Sequence, residues 1–290
     1  MLPRFLISGL TAAVLALSPM LPAAAEQLRV ASLDSLESAP VLHSNAVLII
    51  NAQTGVPVFS KNADKLSSIA SITKLMTAMV ALDSNPDLDA ALTISDDEVD
   101  RLKRTTSRLP VGTTLTRREM LLLALMSSEN RAAHVLARSA LPGGTDIFVS
   151  RMNQKARQLG MTHTRFYDPT GLNSGNVSTA QDLAKMVAAA YRYPLIRQFT
   201  TTQEHDVYVK TRLTHYKNSN ALVREGEWQI GLSKTGYIQE AGRCLVMHAT
   251  VGTTPLIMVF LDAGGSAART NDARAIRTWL EGHPGTWLAG

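Results

Sequence analysis

A serine and a lysine three residues apart, Ser71 and Lys74, open an apolar run that continues to Leu82. Residues i and i+3 share one face of a helix, so the Lys74 amine can reach the Ser71 hydroxyl. Serine is a weak nucleophile until a base takes its proton, and a lysine that burial keeps partly neutral can be that base. Because a chain of 290 residues contains about one such pair by chance, Ser71 is a candidate nucleophile that needs partners.

Ser128 and Asn130 form a second motif, placed between two predicted helices. A capping-box pattern from Thr116 to Glu119 begins the first helix, and the second covers about 131–140. A rigid corner between helices can aim both side chains at a cleft. Serine-x-asparagine is a common pattern that recurs at 174–176. We favour Ser128 and Asn130 because the second copy lies in a turn-rich loop.

Lys234, Thr235 and Gly236 form a third motif, in a segment whose apolar pattern predicts a strand. Because glycine has no side chain, a substrate backbone could lie close to the strand at Gly236. An exposed strand lysine without a further role is the alternative for Lys234. The order serine-lysine, serine-x-asparagine, lysine-threonine-glycine resembles the motif set of the penicillin-recognising serine acyltransferases.

The resemblance extends beyond these motifs. Residues 69–80, 120–133, 164–172 and 233–238 closely resemble blocks of the low-molecular-mass penicillin-binding proteins and, within them, of the D-alanyl-D-alanine endopeptidases. The similarity covers about residues 40 to 282. It implies a β-lactamase/transpeptidase-like fold, a substrate of peptidoglycan stem peptides, and β-lactam antibiotics as covalent inhibitors.

The resemblance also implies catalytic roles. Ser71 would attack the carbonyl of a D-alanine residue, and Lys74 would accept the serine proton. Ser128 would relay that proton to the leaving amine. The backbone N–H groups of Ser71 and Tyr237 would form the oxyanion hole, and water would then hydrolyse the acyl-enzyme.

Substrate binding is assigned in the same way. Asn130 would position the substrate amide and Lys74, and Lys234 would hold Ser128 and attract an anionic substrate group. Thr235 would hydrogen-bond the substrate beside Gly236. Arg243 could pair with a substrate carboxylate, although a solvated arginine at a strand edge is the favoured interpretation.

Deacylation distinguishes close relatives within this superfamily. Class A β-lactamases use a glutamate from a loop after the serine-x-asparagine motif, but no glutamate occurs between Glu129 and Glu204. Asp168 is the acidic candidate, and its Pro-Thr-Gly setting favours a structural turn. We therefore expect a long-lived penicilloyl-enzyme and no rapid β-lactam hydrolysis.

Endopeptidases and carboxypeptidases of the family both cleave after D-alanine and differ in the leaving group. Family carboxypeptidases commonly carry a further C-terminal β domain and an amphipathic tail, and the sequence shows neither after the lysine-threonine-glycine motif. This departure favours endopeptidase activity, with carboxypeptidase activity as the alternative. A catalytically silent peptidoglycan-binding protein is a third hypothesis, against which the intact motifs argue.

Strand-length apolar runs lie near both chain ends, at 46–51, 56–60, 228–237, 243–251 and 255–262. Helical patterns lie between and after them, at 71–83, 116–126, 131–140, 145–159, 179–191 and 266–280. This order predicts an α+β fold, in which both chain ends build one antiparallel sheet and helices flank it. The predicted domain covers 44–282, with a helical insertion at about 84–225.

Residues 1–25 have the pattern of a secretory signal peptide. Arg4 supplies the positive start, 5–17 the short apolar stretch and 23–25 the small residues of a cleavage site. We expect export to the periplasm, a loosely ordered lead-in at 26–43 and a short tail at 283–290. No later run is long and apolar enough to span a bilayer, so at most peripheral membrane association is expected.

The formal net charge is +5, and +4 remains without Arg4. This balance suits an anionic polymer, but no basic run with interleaved aromatics supports a nucleic-acid partner. The seven histidines show no metal-ligand spacing, so we expect no metal and no cofactor. The single cysteine, Cys244, lies in a strand pattern and is predicted to be a core or half-buried residue.

Overall fold

The structure is a computed structural model that describes residues 39–283. Its strands are β1 (Ser44–Asn51), β2 (Pro57–Lys61), β3 (Ser67–Ser68), β4 (Ala91–Thr93), β5 (Thr114–Thr116), β6 (Val177–Ser178), β7 (Glu204–Val209), β8 (Arg212–Lys217), β9 (Gln229–Ile238), β10 (Gly242–Val251) and β11 (Thr254–Ala263). Its α-helices are α1 (Thr73–Asp83), α2 (Arg117–Met126), α3 (Asn130–Ala140), α4 (Gly144–Gln158), α5 (Ala180–Ala190), α6 (Pro194–Thr201), α7 (Ala221–Glu225) and α8 (Ala268–Gly282).

Both ends of the described chain build one five-stranded sheet in the order β2-β1-β11-β10-β9, with every pair antiparallel. Leu48 pairs with Val259 across β1 and β11, and Val246 pairs with Lys234 across β10 and β9. The α+β class and the sheet assembled from both chain ends are therefore confirmed. Strand β9 lies at an edge, where part of its backbone is free to face other groups.

Helices cover both faces of this sheet. Side chains alternate along a strand, so Val47 and Ile49 join one apolar cluster while Ala46 and Leu48 join the other. Helix α8 packs on β1, β10 and β11 through residues such as Ile276. Helix α5 packs on the same three strands, and the larger cluster also contains residues of α1, α2, α3, α4 and α6.

Helix α1 lies in the middle of the helical layer and contacts α2, α3, α4 and α5. All of its residues from Thr73 to Ala81 are buried. A helix that is apolar on nearly every side requires such surroundings. Its first turn carries Lys74, which is consequently removed from water.

The predicted capping box at the start of α2 is confirmed. The Thr116 side chain accepts a hydrogen bond from the Glu119 backbone N–H, and the Glu119 carboxylate accepts one from Thr116 N at 2.9 Å. The segment before α2, for which no helix or strand is predicted, contains the short strands β4 and β5, which pair with each other.

The β7–β8 hairpin and helices α6 and α7 were not predicted. The hairpin turn, Lys210-Thr211, lacks the glycine or asparagine that usually marks a two-residue turn, although Lys210 adopts φ +56°. Most of its exposed residues are polar, and the two exposed hydrophobic residues, Tyr208 and Leu213, do not form an apolar run.

The predicted signal peptide and the tail after 283 lie outside the described residues. Of the predicted lead-in, residues 39–43 are described: Leu42 is buried, and the His43 backbone N–H donates to Asp272 Oδ1 at 3.0 Å. Within 39–283, no helix is long and apolar enough to cross a membrane.

Candidate active site

Ser71 lies in a 3-10 turn, Ala70–Ile72, that leads directly into α1. Ala70 adopts φ +46°, a conformation that costs energy for a residue with a side chain. Gly171 of the neighbouring loop, at φ +87°, packs so closely that a Cβ there would lie 1.9 Å from the Ala70 carbonyl oxygen. The position of Ser71 therefore depends on a glycine in another loop.

Lys74 Nζ makes three short contacts. It lies 2.8 Å from Ser71 Oγ, 2.7 Å from Asn130 Oδ1 and 2.7 Å from the Thr170 carbonyl oxygen. The two carbonyl-type oxygens can only accept hydrogen bonds. A neutral amine has two N–H donors for them, and its lone pair is then left for the Ser71 hydroxyl.

The charge of Lys74 is adjusted by its surroundings. Burial lowers the pKa of Lys74 to about 7, against the opposing effect of the Asp168 and Glu129 carboxylates, which raise it. A large share of the lysine is therefore neutral near pH 7. Lys74 therefore has the property that a base for Ser71 needs, because burial keeps part of the amine neutral.

Ser128 and Asn130 lie at the corner between α2 and α3, as predicted from their position. Ser128 adopts φ +64°, a strained conformation for a non-glycine residue. Glu129 between them is buried, and its carboxylate accepts hydrogen bonds from Ser107 Oγ at 2.7 Å and Arg108 N at 3.2 Å. The corner is thereby fixed to the segment that precedes α2.

Lys234 is fully buried on β9 and donates to Ser128 Oγ at 2.9 Å and to the Thr235 carbonyl oxygen at 2.9 Å. Burial and the positive charges of Lys74 and Arg269 lower its pKa well below the ordinary value. An exposed strand lysine, the alternative for this residue, is excluded by this burial. Lys234 connects the third motif to the second.

The structure corrects the reason for glycine at 236. A Cβ at Gly236 would lie 2.8 Å from the Ile69 carbonyl oxygen and 3.2 Å from Ser71 N. The room that the missing side chain leaves is thus occupied by the backbone around the nucleophile, and not by space reserved for a substrate. Gly236 lets the edge strand β9 lie directly against the Ser71 turn.

Three residues at the site had no signal in the sequence: Ser219, Arg269 and Thr170. The Thr235 hydroxyl donates to Ser219 Oγ at 2.7 Å. Arg269, from α8, donates to the Gly236 carbonyl oxygen at 2.7 Å and to that of Cys244 at 3.1 Å. Thr170 acts through its backbone carbonyl, which any residue type supplies.

Asp168 is surrounded by the turn that it stabilises. Its Oδ1 accepts from Thr170 N at 2.5 Å and Gly171 N at 2.7 Å, and its Oδ2 accepts from Asn173 N at 2.7 Å. Both oxygens therefore hold backbone N–H groups, in agreement with the predicted structural turn. Asp168 affects the site through its charge near Lys74.

The second serine-x-asparagine copy does not reach the Lys74 amine. Asn176 Oδ1 accepts from Tyr167 N at 2.7 Å, and its Nδ2 donates to Thr73 Oγ1 at 3.1 Å and to the Asp168 carbonyl at 2.9 Å. This buried amide fastens the loop to α1. The choice of Asn130 over Asn176 agrees with their positions.

The remaining predicted residues lie at the rim or in the core. Tyr237 is 55% exposed, and the Arg243 guanidinium lies 4.5 Å from its ring centroid. Cys244 is buried, as predicted, and burial raises its thiol pKa to about 11. Among residues 39–283, no three His, Cys, Asp or Glu side chains are grouped as metal ligands would be.

Comparison with known proteins agrees with the three motifs. The D-alanyl-D-alanine carboxypeptidase family matches residues 34–265. A D-alanyl-D-alanine endopeptidase of Pseudomonas aeruginosa is 47% identical over 242 residues, which are 83% of this chain and 78% of the relative. One from Escherichia coli is 41% identical over 283 residues, 97% of this chain and 90% of the relative.

A solved structure shares the fold. The crystal structure of a Streptomyces DD-transpeptidase superposes with a TM-score of 0.77 at 30% identity, and the match covers 84% of this chain and 99% of the other. Family, relatives and fold agree with the serine-lysine geometry at Ser71. The chain belongs to the D-alanyl-D-alanine carboxypeptidase family of serine peptidases.

Proposed function

We propose that this chain is a peptidoglycan D,D-endopeptidase that hydrolyses D-alanyl cross-links between stem peptides through an acyl-enzyme on Ser71. The observation that carries the proposal is the contact set of Lys74. Two acceptor oxygens hold its amine, the third contact is the Ser71 hydroxyl, and burial lowers its pKa to about 7. These are the requirements for a base that activates serine.

In the acylation step, Ser71 Oγ bonds to the carbonyl carbon of a D-alanine residue while its proton passes to Lys74 Nζ. The oxyanion that forms would be stabilised by the backbone N–H groups of Ser71 and Tyr237. Gly236 supports this arrangement because it allows β9 to lie next to the Ser71 backbone.

Collapse of the intermediate breaks the carbonyl C–N bond and requires a proton for the leaving amine. Ser128 is placed to deliver it, because Lys234 holds its oxygen at 2.9 Å. Asn130 keeps Lys74 in place, and Thr235 offers a hydroxyl to the substrate. Water then attacks the ester, returns the free carboxylate and restores Ser71.

Two observations favour endopeptidase over carboxypeptidase activity. Relatives named endopeptidase are 36% to 47% identical to this chain, whereas relatives named carboxypeptidase are 27% to 32% identical. The chain also spans 90% of the Escherichia coli endopeptidase. Carboxypeptidase activity on pentapeptides is the second candidate, because the family includes both.

The deciding experiment compares two substrates. Purified mature protein is incubated with cross-linked muropeptide dimers and with uncross-linked pentapeptide, and the products are separated by chromatography. We expect the dimers to disappear, with Ser71→Ala as the inactive control. Release of D-alanine from the pentapeptide alone would replace the endopeptidase assignment with carboxypeptidase activity.

β-Lactams should acylate the same serine. A fluorescent penicillin is expected to label the wild-type protein and not Ser71→Ala, and the label should persist because Asp168 is committed to its turn. Absence of any Ser71-dependent label would support the catalytically silent alternative. Rapid loss of label with penicilloate release would instead indicate a β-lactamase.

The location of the enzyme is part of the proposal. The pattern of residues 1–25 supports export by a signal peptide, and a peptidoglycan substrate requires a periplasmic enzyme. Fractionation of cells that express the full chain, with detection of an N-terminus near Glu26, tests this. Retention of uncleaved protein in the cytoplasm would contradict it.

A further inference from the structure

A groove lies beside the loop that carries Thr170 and Gly171. It has a volume of about 580 Å³ and runs between α4 and the segment that follows it, with Asn153, Arg157, Thr164, Arg165 and Tyr167 among its lining residues. The lining contains two arginines and no aspartate or glutamate. The side chains that line the groove therefore carry a net positive charge.

The walls of the groove are held in place. Asn153 on α4 exchanges two hydrogen bonds with the backbone of Phe166, donating from Nδ2 at 2.8 Å and accepting at Oδ1 at 2.9 Å. Arg165 exchanges two backbone hydrogen bonds with Val177, at 3.0 and 3.1 Å. Both arginines therefore extend from fixed backbone positions.

Both guanidinium groups lack a carboxylate partner. Within residues 39–283, no Asp or Glu oxygen lies within salt-bridge distance of Arg157 or Arg165, and the Arg165 guanidinium lies 5.0 Å from the centroid of the Tyr167 ring. By contrast, Arg138 and Arg274 bind Glu98 and Glu225. Two unpaired arginines across a groove are suited to bidentate binding of carboxylates.

The groove is connected to the catalytic site through one loop. Tyr167 lines the groove, and three residues later the Thr170 carbonyl accepts the Lys74 hydrogen bond. Three residues span at most about 10 Å. The wall of the groove therefore lies close to the Lys74 amine.

We propose that this groove, lined by Arg157 and Arg165, is an exosite that binds carboxylates of the peptidoglycan polymer outside the bond being cleaved. The inference rests on the proposed function, because it takes the substrate to be a cross-linked peptide polymer with repeated carboxylates. Binding at a second point raises the effective concentration of cross-links at Ser71. The exosite would thus increase the binding and cleavage of the polymer and leave the cleavage of small soluble substrates unchanged.

The experiment measures binding to insoluble sacculi by co-sedimentation, in a Ser71→Ala background so that nothing is cleaved. We expect Arg157→Glu/Arg165→Glu to weaken binding about tenfold at low ionic strength, and the difference to shrink as salt is added. Arg157→Gln/Arg165→Gln should give a smaller loss. Sacculi whose carboxylates have been converted to neutral amides should bind all three proteins equally weakly.

The matched control is Lys210→Glu/Arg212→Glu at the β7–β8 turn, which makes the same change in net charge on exposed residues outside the groove. Equal loss with this control would show that net charge alone governs binding and would overturn the exosite. Unchanged binding with Arg157→Glu/Arg165→Glu, or unchanged wild-type binding to amidated sacculi, would also overturn it.

The result that would refute the exosite proposal differs from the result that would refute the proposed function. In the Ser71 background, Arg157→Glu/Arg165→Glu should react with fluorescent penicillin and cleave soluble cross-linked dimers at wild-type rates, but digest intact sacculi about tenfold more slowly. A wild-type protein that leaves the dimers intact would refute the endopeptidase proposal. Equal slowing on dimers and sacculi would instead refute the exosite.

Discussion

Lys74 and Lys234 are two fully buried lysines whose amines contact two different serines of one site, Ser71 at 2.8 Å and Ser128 at 2.9 Å. Burial is the main cause of the lowered pKa of each, and the charge of Lys74 further lowers that of Lys234. Two positive charges in this buried site would repel each other. The site therefore disfavours a state in which both lysines are charged, and burial alone keeps a large share of Lys74 neutral near pH 7.

The pH dependence of acylation follows from the charge of Lys74. Lys74 accepts the Ser71 proton only when neutral, so the rate should rise about tenfold per pH unit below pH 7 and level off above it, with a midpoint near the Lys74 pKa of about 7. Stopped-flow measurement with a chromogenic penicillin checks this. A rate that is flat from pH 5 to 9 would show that Lys74 is not the base.

A substitution of Glu129 tests the direction in which its charge shifts the pKa of Lys74. Its carboxylate raises the pKa of Lys74, so Glu129→Gln should move the acid limb of the acylation profile to lower pH. The amide oxygen can still accept from Ser107, and only the longer hydrogen bond from Arg108 N, at 3.2 Å, is lost. Glu240→Gln, at an exposed ion pair with Lys103, is the control and should leave the profile unchanged. A shift to higher pH would contradict the predicted effect.

Two substitutions of Ser128 distinguish the effect of its hydroxyl on acylation from the effect of its backbone conformation on stability. Ser128→Ala and Ser128→Gly both remove the oxygen that Lys234 contacts, so both should reduce acylation by about a hundredfold or more. Because Ser128 has φ +64°, only the glycine relieves strain, and Ser128→Gly should be more stable than Ser128→Ala by about 1 kcal/mol. Urea unfolding and penicillin labelling measure the two effects. A Ser128→Gly enzyme with the wild-type rate would exclude the hydroxyl from catalysis.

Local patterns explain which features could be predicted from the sequence. The capping box at Thr116 is complete within four residues, and Ser71 and Lys74 meet because they are three residues apart on one helix. The apolar runs near both chain ends likewise predict the sheet, because strands with two buried faces have few polar residues. Each of these features depends on interactions that a short stretch of sequence defines.

Features that depend on distant or backbone partners could not be predicted. The Thr170 carbonyl that holds Lys74 has no side-chain signature. Ser219 and Arg269 reach Thr235 and Gly236 only after the sheet and α8 are assembled. The correct explanation for Gly236 also required the tertiary structure, because it concerns how closely two separate segments of backbone approach.

Gly171 tests how strictly the loop positions the nucleophile. Gly171→Ala would place a Cβ 1.9 Å from the Ala70 carbonyl oxygen at φ +87°, so the Ser71 turn must shift. We expect a loss of more than about 3 kcal/mol in the free energy of unfolding, combined with a large loss of penicillin acylation. Gly160→Ala is the control: φ is +69° but the Cβ has open space, so it should cost about 1 kcal/mol and leave acylation unchanged. Equal effects of the two substitutions would contradict the close-packing argument.

Glu98 should make the stability of the whole domain sensitive to acid. It is buried, and although burial opposes its ionisation, hydrogen bonds from His134, Arg138 and Ser95 lower its pKa from 4.5 to about 2. A carboxylate with a lowered folded-state pKa stabilises the protein fully above pH 4.5, and this contribution is lost as the pH falls towards 2. It amounts to at most about 3 kcal/mol.

Glu98→Gln removes the titration, so the mutant should be less stable than the wild type at pH 7 but should lose less stability between pH 4.5 and 2. Urea denaturation at a series of pH values measures both slopes. The consequence reaches the active site because His134 and Arg138 lie on α3, the helix that begins at Asn130. Parallel stability curves for the mutant and the wild type would show that the pKa of Glu98 is not lowered in the folded protein.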